Sequence, residues 1–191
     1  MLPVAPVLPA RFGLVAETLE MASGLIEAQA EEIAEVFARV EGCVEIGLRI
    51  TFDRQQALAS TLEADTALRR ERDALAGRGL EAQFDIAEFG GRLAERLDRR
   101  RGEAQAGLLS ALRPLARDHV LKAPDSDTQV LRAEFLVQSD AQDAFLEAVQ
   151  AAVRGLSFAG GIEPEIEVIG PAPLYHFVQL RLAPVSKEEA A

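Results

Sequence analysis

The chain has 191 residues, 49% of them hydrophobic and 27% charged, a composition that folds into a packed domain rather than remaining disordered. Its formal net charge of −11 sets its surface against phosphate backbones and anionic lipid, so neither nucleic acid nor membrane is expected as a principal partner. The single cysteine, Cys43, excludes an internal disulfide and fits a reducing cytoplasm, and no run approaches the roughly 20 apolar residues of a membrane-spanning helix.

Residues 1–16 read as an extended lead, because Pro3, Pro6 and Pro9 fix their own backbone angles and push their predecessors away from helix. The lead is apolar but lacks the basic start of a signal peptide. A helix follows over 18–39. Leu19, Ala22, Ile26, Ala30, Ile33, Phe37 and Val40 recur along one side of it, with Gly24 as a candidate break and Gly42 as the stop. Over 43–52, Val44, Ile46, Leu48, Ile50 and Phe52 alternate with small or polar residues, the pattern of a strand with one buried face.

From 55 to 117 the composition turns helical. Leu58, Leu62, Leu68 and Leu75 indicate one helix ending near Gly77, and Phe84, Phe89, Leu93, Leu97, Leu108, Leu112 and Leu115 a longer second one, together a helical hairpin. A short strand is expected over 119–122, closed by the turn residues Pro124, Asp125, Ser126 and Asp127. A second apolar strand covers 130–138. Ser139 then reads as the cap of a helix over 140–154, whose inner face is Phe145, Leu146, Val149 and Val153. Residues 162–182 are extended apart from a break at Gly170, Pro171, Ala172 and Pro173, and 183–191 is an acidic tail.

The order from residue 43 is strand, helices, strand, strand, helix, strand. It specifies an α+β fold, a ferredoxin-like βαββαβ sandwich with an enlarged helical crossover, preceded by the extended lead and the amphipathic helix. Three units follow: 1–42, lead plus helix; 43–182, the ferredoxin-like domain carrying the hairpin over 55–117; and 183–191, the tail.

No residue set carries catalysis. His119 and His176 are the only histidines, too few and too far from Cys43 in sequence for a zinc-type cluster, so no metal and no cofactor is expected. His176 lies between Tyr175 and Phe177, which on a strand makes it an outer-face histidine. Gly155–Gly161 follows a helix and precedes a strand, the wrong order for a phosphate loop. Arg92, Arg96, Arg99, Arg100 and Arg101 interleave with Glu95, Asp98 and Glu103 and read as a solvated helix face. Glu163, Glu165 and Glu167 share one side of a strand and read as its solvent side.

Three stretches carry a family likeness: 7–13, VLPARFG; 42–50, GCVEIGLRI; and 170–178, GPAPLYHFV. In this order they resemble the "VLPxRFG", "GxVEWxVKV" and "GPWPPYSFV" segments of the gas vesicle protein F/L family. Ile46 and Ala172 stand in place of its tryptophans, Leu174 in place of a proline and His176 in place of a serine. Family members are expected to carry a further α+β region ahead of the first segment, so the resemblance makes 1–42 a remnant of that N-terminal region. It implies a two-part α+β protein with a ferredoxin-like C-terminal half, acting in gas vesicle formation. Its expected partners are the apolar gas vesicle shell subunit and other gas vesicle accessory proteins, in the cytoplasm and at the vesicle. The physical expectation beside it is a chaperone-like binder without enzymatic activity. Its contact surfaces would be the amphipathic helix (Ile26, Ile33, Phe37) and the closing segment (Pro171, Pro173, Leu174, Tyr175, Phe177). The alternative is a ferredoxin-like regulatory module that binds a small molecule.

Overall fold

A computed structural model describes residues 7–9 and 15–179. The remainder of the proline-rich lead and the acidic tail expected over 183–191 lie outside the described residues. Among those described, four strands form one antiparallel sheet in the order β2-β3-β1-β4, with β1 Cys43–Thr51, β2 Asp118–Leu121, β3 Gln129–Gln138 and β4 Glu165–Ala172. With its helical crossovers this is the ferredoxin-like βαββαβ arrangement expected from the element order.

Alternation along the strands assigns their faces. Ile46, Leu48 and Ile50 of β1 and Leu131, Ala133, Phe135 and Val137 of β3 point to one side and form the main core. They pack against Leu97, Leu108 and Leu112 of α5 (Gln83–Leu112) and Phe145, Val149 and Val153 of α6 (Gln142–Arg154). Phe135 meets Phe145 with ring centroids 5.2 Å apart, and Phe52 meets Phe158 edge-on at 5.2 Å.

The helices differ from expectation at two breaks, one of them made by a side-chain cap. The stretch 18–39 is two helices, α1 (Leu19–Ala28) and α2 (Ala30–Val40). Thr18 caps α1 by accepting the Met21 amide, and the chain breaks at Gln29 rather than at Gly24, which stays helical. The first half of the crossover is likewise divided into α3 (Arg54–Ala64) and α4 (Thr66–Leu75). Asp65 accepts the amides of Ala67 and Leu68 and starts a new helix. Gly102 and Gly107 interrupt nothing in α5. Ser139 does not cap α6: its amide donates to the Gly42 carbonyl, and α6 begins three residues later without a side-chain cap. Gly42 turns α2 into β1 with a φ of 71°.

The arginine-rich stretch of α5 is tied down locally. Arg92 pairs with Glu88 and Glu71, Arg96 with Asp65, and Arg101 with Asp98. Arg100 donates to Thr61 Oγ1 (2.8 Å), Ser60 Oγ (3.0 Å) and the Ser157 carbonyl (2.9 Å), fastening α3 and the turn after α6 to α5. Burial, with Arg96 nearby, pulls its guanidinium below the ordinary arginine value.

Candidate functional site

The sheet face turned away from α5 and α6 is covered by α2 and by the segment that follows β4. β4 runs through the cis Gly170–Pro171 bond as far as Ala172, which pairs with Glu45, and the chain leaves the sheet at Pro173. It closes a turn in which the amides of Phe177 and Val178 both donate to the Leu174 carbonyl. The turn places Leu174 and Phe177 on the same side, where both are buried against Leu136 of β3 and Val40 of α2. Leu8, Cys43, Val120 and Val178 complete this second, smaller core. Arg39 of α2 secures it by donating to the Phe177 carbonyl at 2.6 Å. Burial raises the Cys43 thiol above its ordinary pKa, a shift opposed by the charge of Arg117.

Beside this core lies a polar cluster. Glu45 of β1 and Glu134 of β3 stand on the same face, only 3% and 9% exposed. Gly47 sits directly opposite Glu134, and its missing side chain admits the carboxylate: a Cβ there would lie 2.4 Å from Glu134 Oε2. Glu45 accepts the His176 amide (2.9 Å) and faces His176 Nδ1 (2.6 Å). Lys122, just past β2, lies 2.8 Å from Glu134 Oε1 and 2.8 Å from His176 Nε2. An ammonium can only donate, so Nε2 accepts and Nδ1 carries the proton toward Glu45. His176 is therefore not the outer-face strand histidine expected from alternation. It sits in a turn, and both ring nitrogens engage buried or half-buried partners.

The structure divides the expected contact residues. Leu174 and Phe177 spend their apolar surface inside the second core, whereas Pro171, Pro173 and Tyr175 remain exposed. Ile26 is exposed, and Ile33 and Phe37 are half-buried. α1 has no buried residue, with Leu19 83% exposed and Met21 and Ile26 open beside it. An open groove of about 700 Å³ between α2 and the sheet edge is lined by Glu32, Glu35, Val36, Arg39, Val120 and Phe177, among others. Glu167, expected on the solvent side, is exposed and pairs there with Arg49 at 2.9 Å.

The polar cluster was missed in the sequence. The only sign of it was an acidic residue, Glu45 or Glu134, inside each of two apolar strands, with a glycine inside one of them. A carboxylate in such a position needs a partner from elsewhere in the chain, and nothing in the local pattern says which. Among the described residues no helix is long and apolar enough to cross a membrane.

Residues 1–179 match the family model described as "Gas vesicle synthesis protein GvpL/GvpF". Curated relatives include gas vesicle protein F of Microcystis aeruginosa, 29% identical over 145 residues, covering 75% of this chain and 59% of the relative. Gas vesicle protein F of Dolichospermum flosaquae is 26% identical, covering 75% and 58%. The chain thus spans less than two thirds of the length of these relatives. Among solved structures, GvpF of Anabaena sp. PCC7120 superposes with a TM-score of 0.76 at 22% identity, a likeness of fold. GvpF of Microcystis aeruginosa superposes at 0.65 with 28% identity, and each comparison covers 91% of this chain and 70% of the other.

Proposed function

Since the chain belongs to the gas vesicle synthesis protein GvpL/GvpF family, we propose that it is a cytoplasmic accessory of gas vesicle assembly that binds the apolar shell subunit, acting by binding rather than by catalysis. The observation that supports this most is α1. It is a capped helix with its apolar residues Leu19, Met21 and Ile26 open to solvent, and none of its residues is buried. Uncovered apolar surface of this kind on an otherwise charged body marks an interaction site. Leu19 and Ile26, seven residues apart, fall on one face of the helix, the spacing at which a helix meets an apolar partner, and Met21 lies on the other side. Tyr175, 60% exposed in the closing segment, is a second large apolar side chain open to a partner. The net charge of −11 keeps the carrier dispersed while it holds an insoluble partner.

Co-expression with the gas vesicle shell subunit, followed by affinity capture and measurement of the subunit's soluble fraction, tests this. The tagged chain is expected to retain the subunit and raise that soluble fraction. The double variant Ile26→Glu/Tyr175→Ser changes only exposed side chains, and is expected to fold and lose capture. Failure of the unaltered chain to retain the subunit, or undiminished capture by the double variant, defeats the proposal.

A further inference from the structure

Hydrogen-bond accounting in the polar cluster leaves one charge uncompensated. Among the described residues Lys122 is the only permanent cation in the cluster, and its ammonium faces Glu134. It also lies 2.8 Å from His176 Nε2, which must then be an unprotonated acceptor, so the imidazole is neutral. Glu45 consequently has as partners a backbone amide and a neutral ring N–H. Among the described residues, a carboxylate that is 3% exposed is held by two dipoles and no full positive charge, an arrangement that carries a desolvation cost. The two carboxylates and one ammonium sum to a net charge of −1.

The geometry points to a divalent transition-metal site here, with Zn²⁺ or a cation of similar chemistry taking the place of the Lys122 ammonium. His176 Nε2 and Glu134 would be its protein ligands, and water would fill the remaining positions. The donors of Glu45, Glu134 and His176 lie within 4.8 Å of one another. The ammonium nitrogen is 2.8 Å from both ligand atoms, and a zinc ion needs about 2.0–2.1 Å to each, a contraction of under about one ångström. Glu45 already holds the arrangement that orients metal-bound histidines: a carboxylate accepting the Nδ1 proton and leaving Nε2 free to ligate. Lys122, half-buried on a long stem after an edge strand, can withdraw to solvent. The exchange brings the cluster from −1 to neutral. One histidine and one carboxylate with water suit zinc, and Mg²⁺, which favours an all-oxygen shell, does not fit.

Isothermal titration of the full chain with ZnCl₂ tests the site, with MgCl₂ as the control. One Zn²⁺ per chain is expected, with Mg²⁺ silent. Lys122→Met removes the internal competitor and is expected to tighten binding about tenfold, as for a site whose open form is about one-tenth populated. Glu45→Gln is expected to weaken binding roughly tenfold or more through loss of the orienting carboxylate. His176→Ala, which leaves the main core untouched, is expected to abolish it. Zinc bound equally well by His176→Ala, as at Cys43, overturns the proposal. So does binding that appears only in Lys122→Met, because the lysine would then fill the site permanently in the native protein.

Discussion

On the helix-covered face of the sheet, β3 offers Leu131, Ala133, Phe135 and Val137 to two long helices. On the opposite face the same strand offers Arg132, Glu134, Leu136 and Gln138 to one short helix and a turn. The first face is closed by regular elements whose apolar stripes repeat. The second is closed by an irregular segment held by two apolar anchors, an arginine-to-carbonyl bond and a histidine seated on a buried carboxylate. Adjacent residues of one strand therefore sit in two environments of different strength, and stability is expected to divide along the sheet.

The largest effect is expected on the first face. Phe135→Ala empties a fully buried position against Phe145 and should cost about 3–5 kcal/mol, read from urea unfolding midpoints. Its neighbour Leu136 is equally buried but belongs to a core of four buried residues. Leu136→Ala should cost about 2 kcal/mol, the low end for such a truncation, because the covering turn can settle into the space. Equal losses at the two positions would break the comparison.

Gly47→Ala sharpens it. The new methyl would meet Glu134 Oε2 at 2.4 Å and the Ile169 Cβ at 3.3 Å, so the carboxylate must move. A loss of about 1 kcal/mol is expected, together with displaced His176 ring signals in NMR spectra as Lys122 and Glu134 rearrange. The smallest effect concerns Cys43, on the rim of the second core. Its thiol is held above its ordinary value by burial, so the folded state keeps a proton that the unfolded state gives up. That contribution is intact below the unfolded thiol value of about 8.5 and is lost as pH rises toward the higher folded value. Cys43→Ala should flatten the decline of stability with pH over that alkaline range, measured as midpoints across a pH series.

The same contrast separates what was legible in the sequence from what was not. The alternation of Val44, Ile46, Leu48, Ile50 and Phe52 and the apolar run of β3 gave the strand positions, and the element order gave the ferredoxin-like topology. Both depend on periods set by the backbone itself. Asp65 divided a helix that leucine spacing had joined, since a cap acts at one residue and leaves the period unchanged, and at Gln29 the backbone alone leaves the helical conformation. The region after Pro173 was read as strand because Tyr175, His176 and Phe177 alternate. The structure makes it a turn, where i and i+3 share a side. That pairs Leu174 with Phe177 and sends His176 to Glu45. The likeness at 42–50 and 170–178 marked both partners of this contact without indicating that they meet. Their separation of 131 positions is a tertiary fact that no local pattern carries.

The most direct test of the central claim, that the exposed α1–α2 unit and the closing segment form a binding surface, is amide hydrogen exchange on the chain alone and in complex with the gas vesicle shell subunit. Slowed exchange over residues 19–40 and 173–178, with α3, α4 and α5 unchanged, is the expected result. Protection confined to the α4–α5 hairpin or to the β4 edge, with 19–40 exchanging as in the free chain, would contradict it.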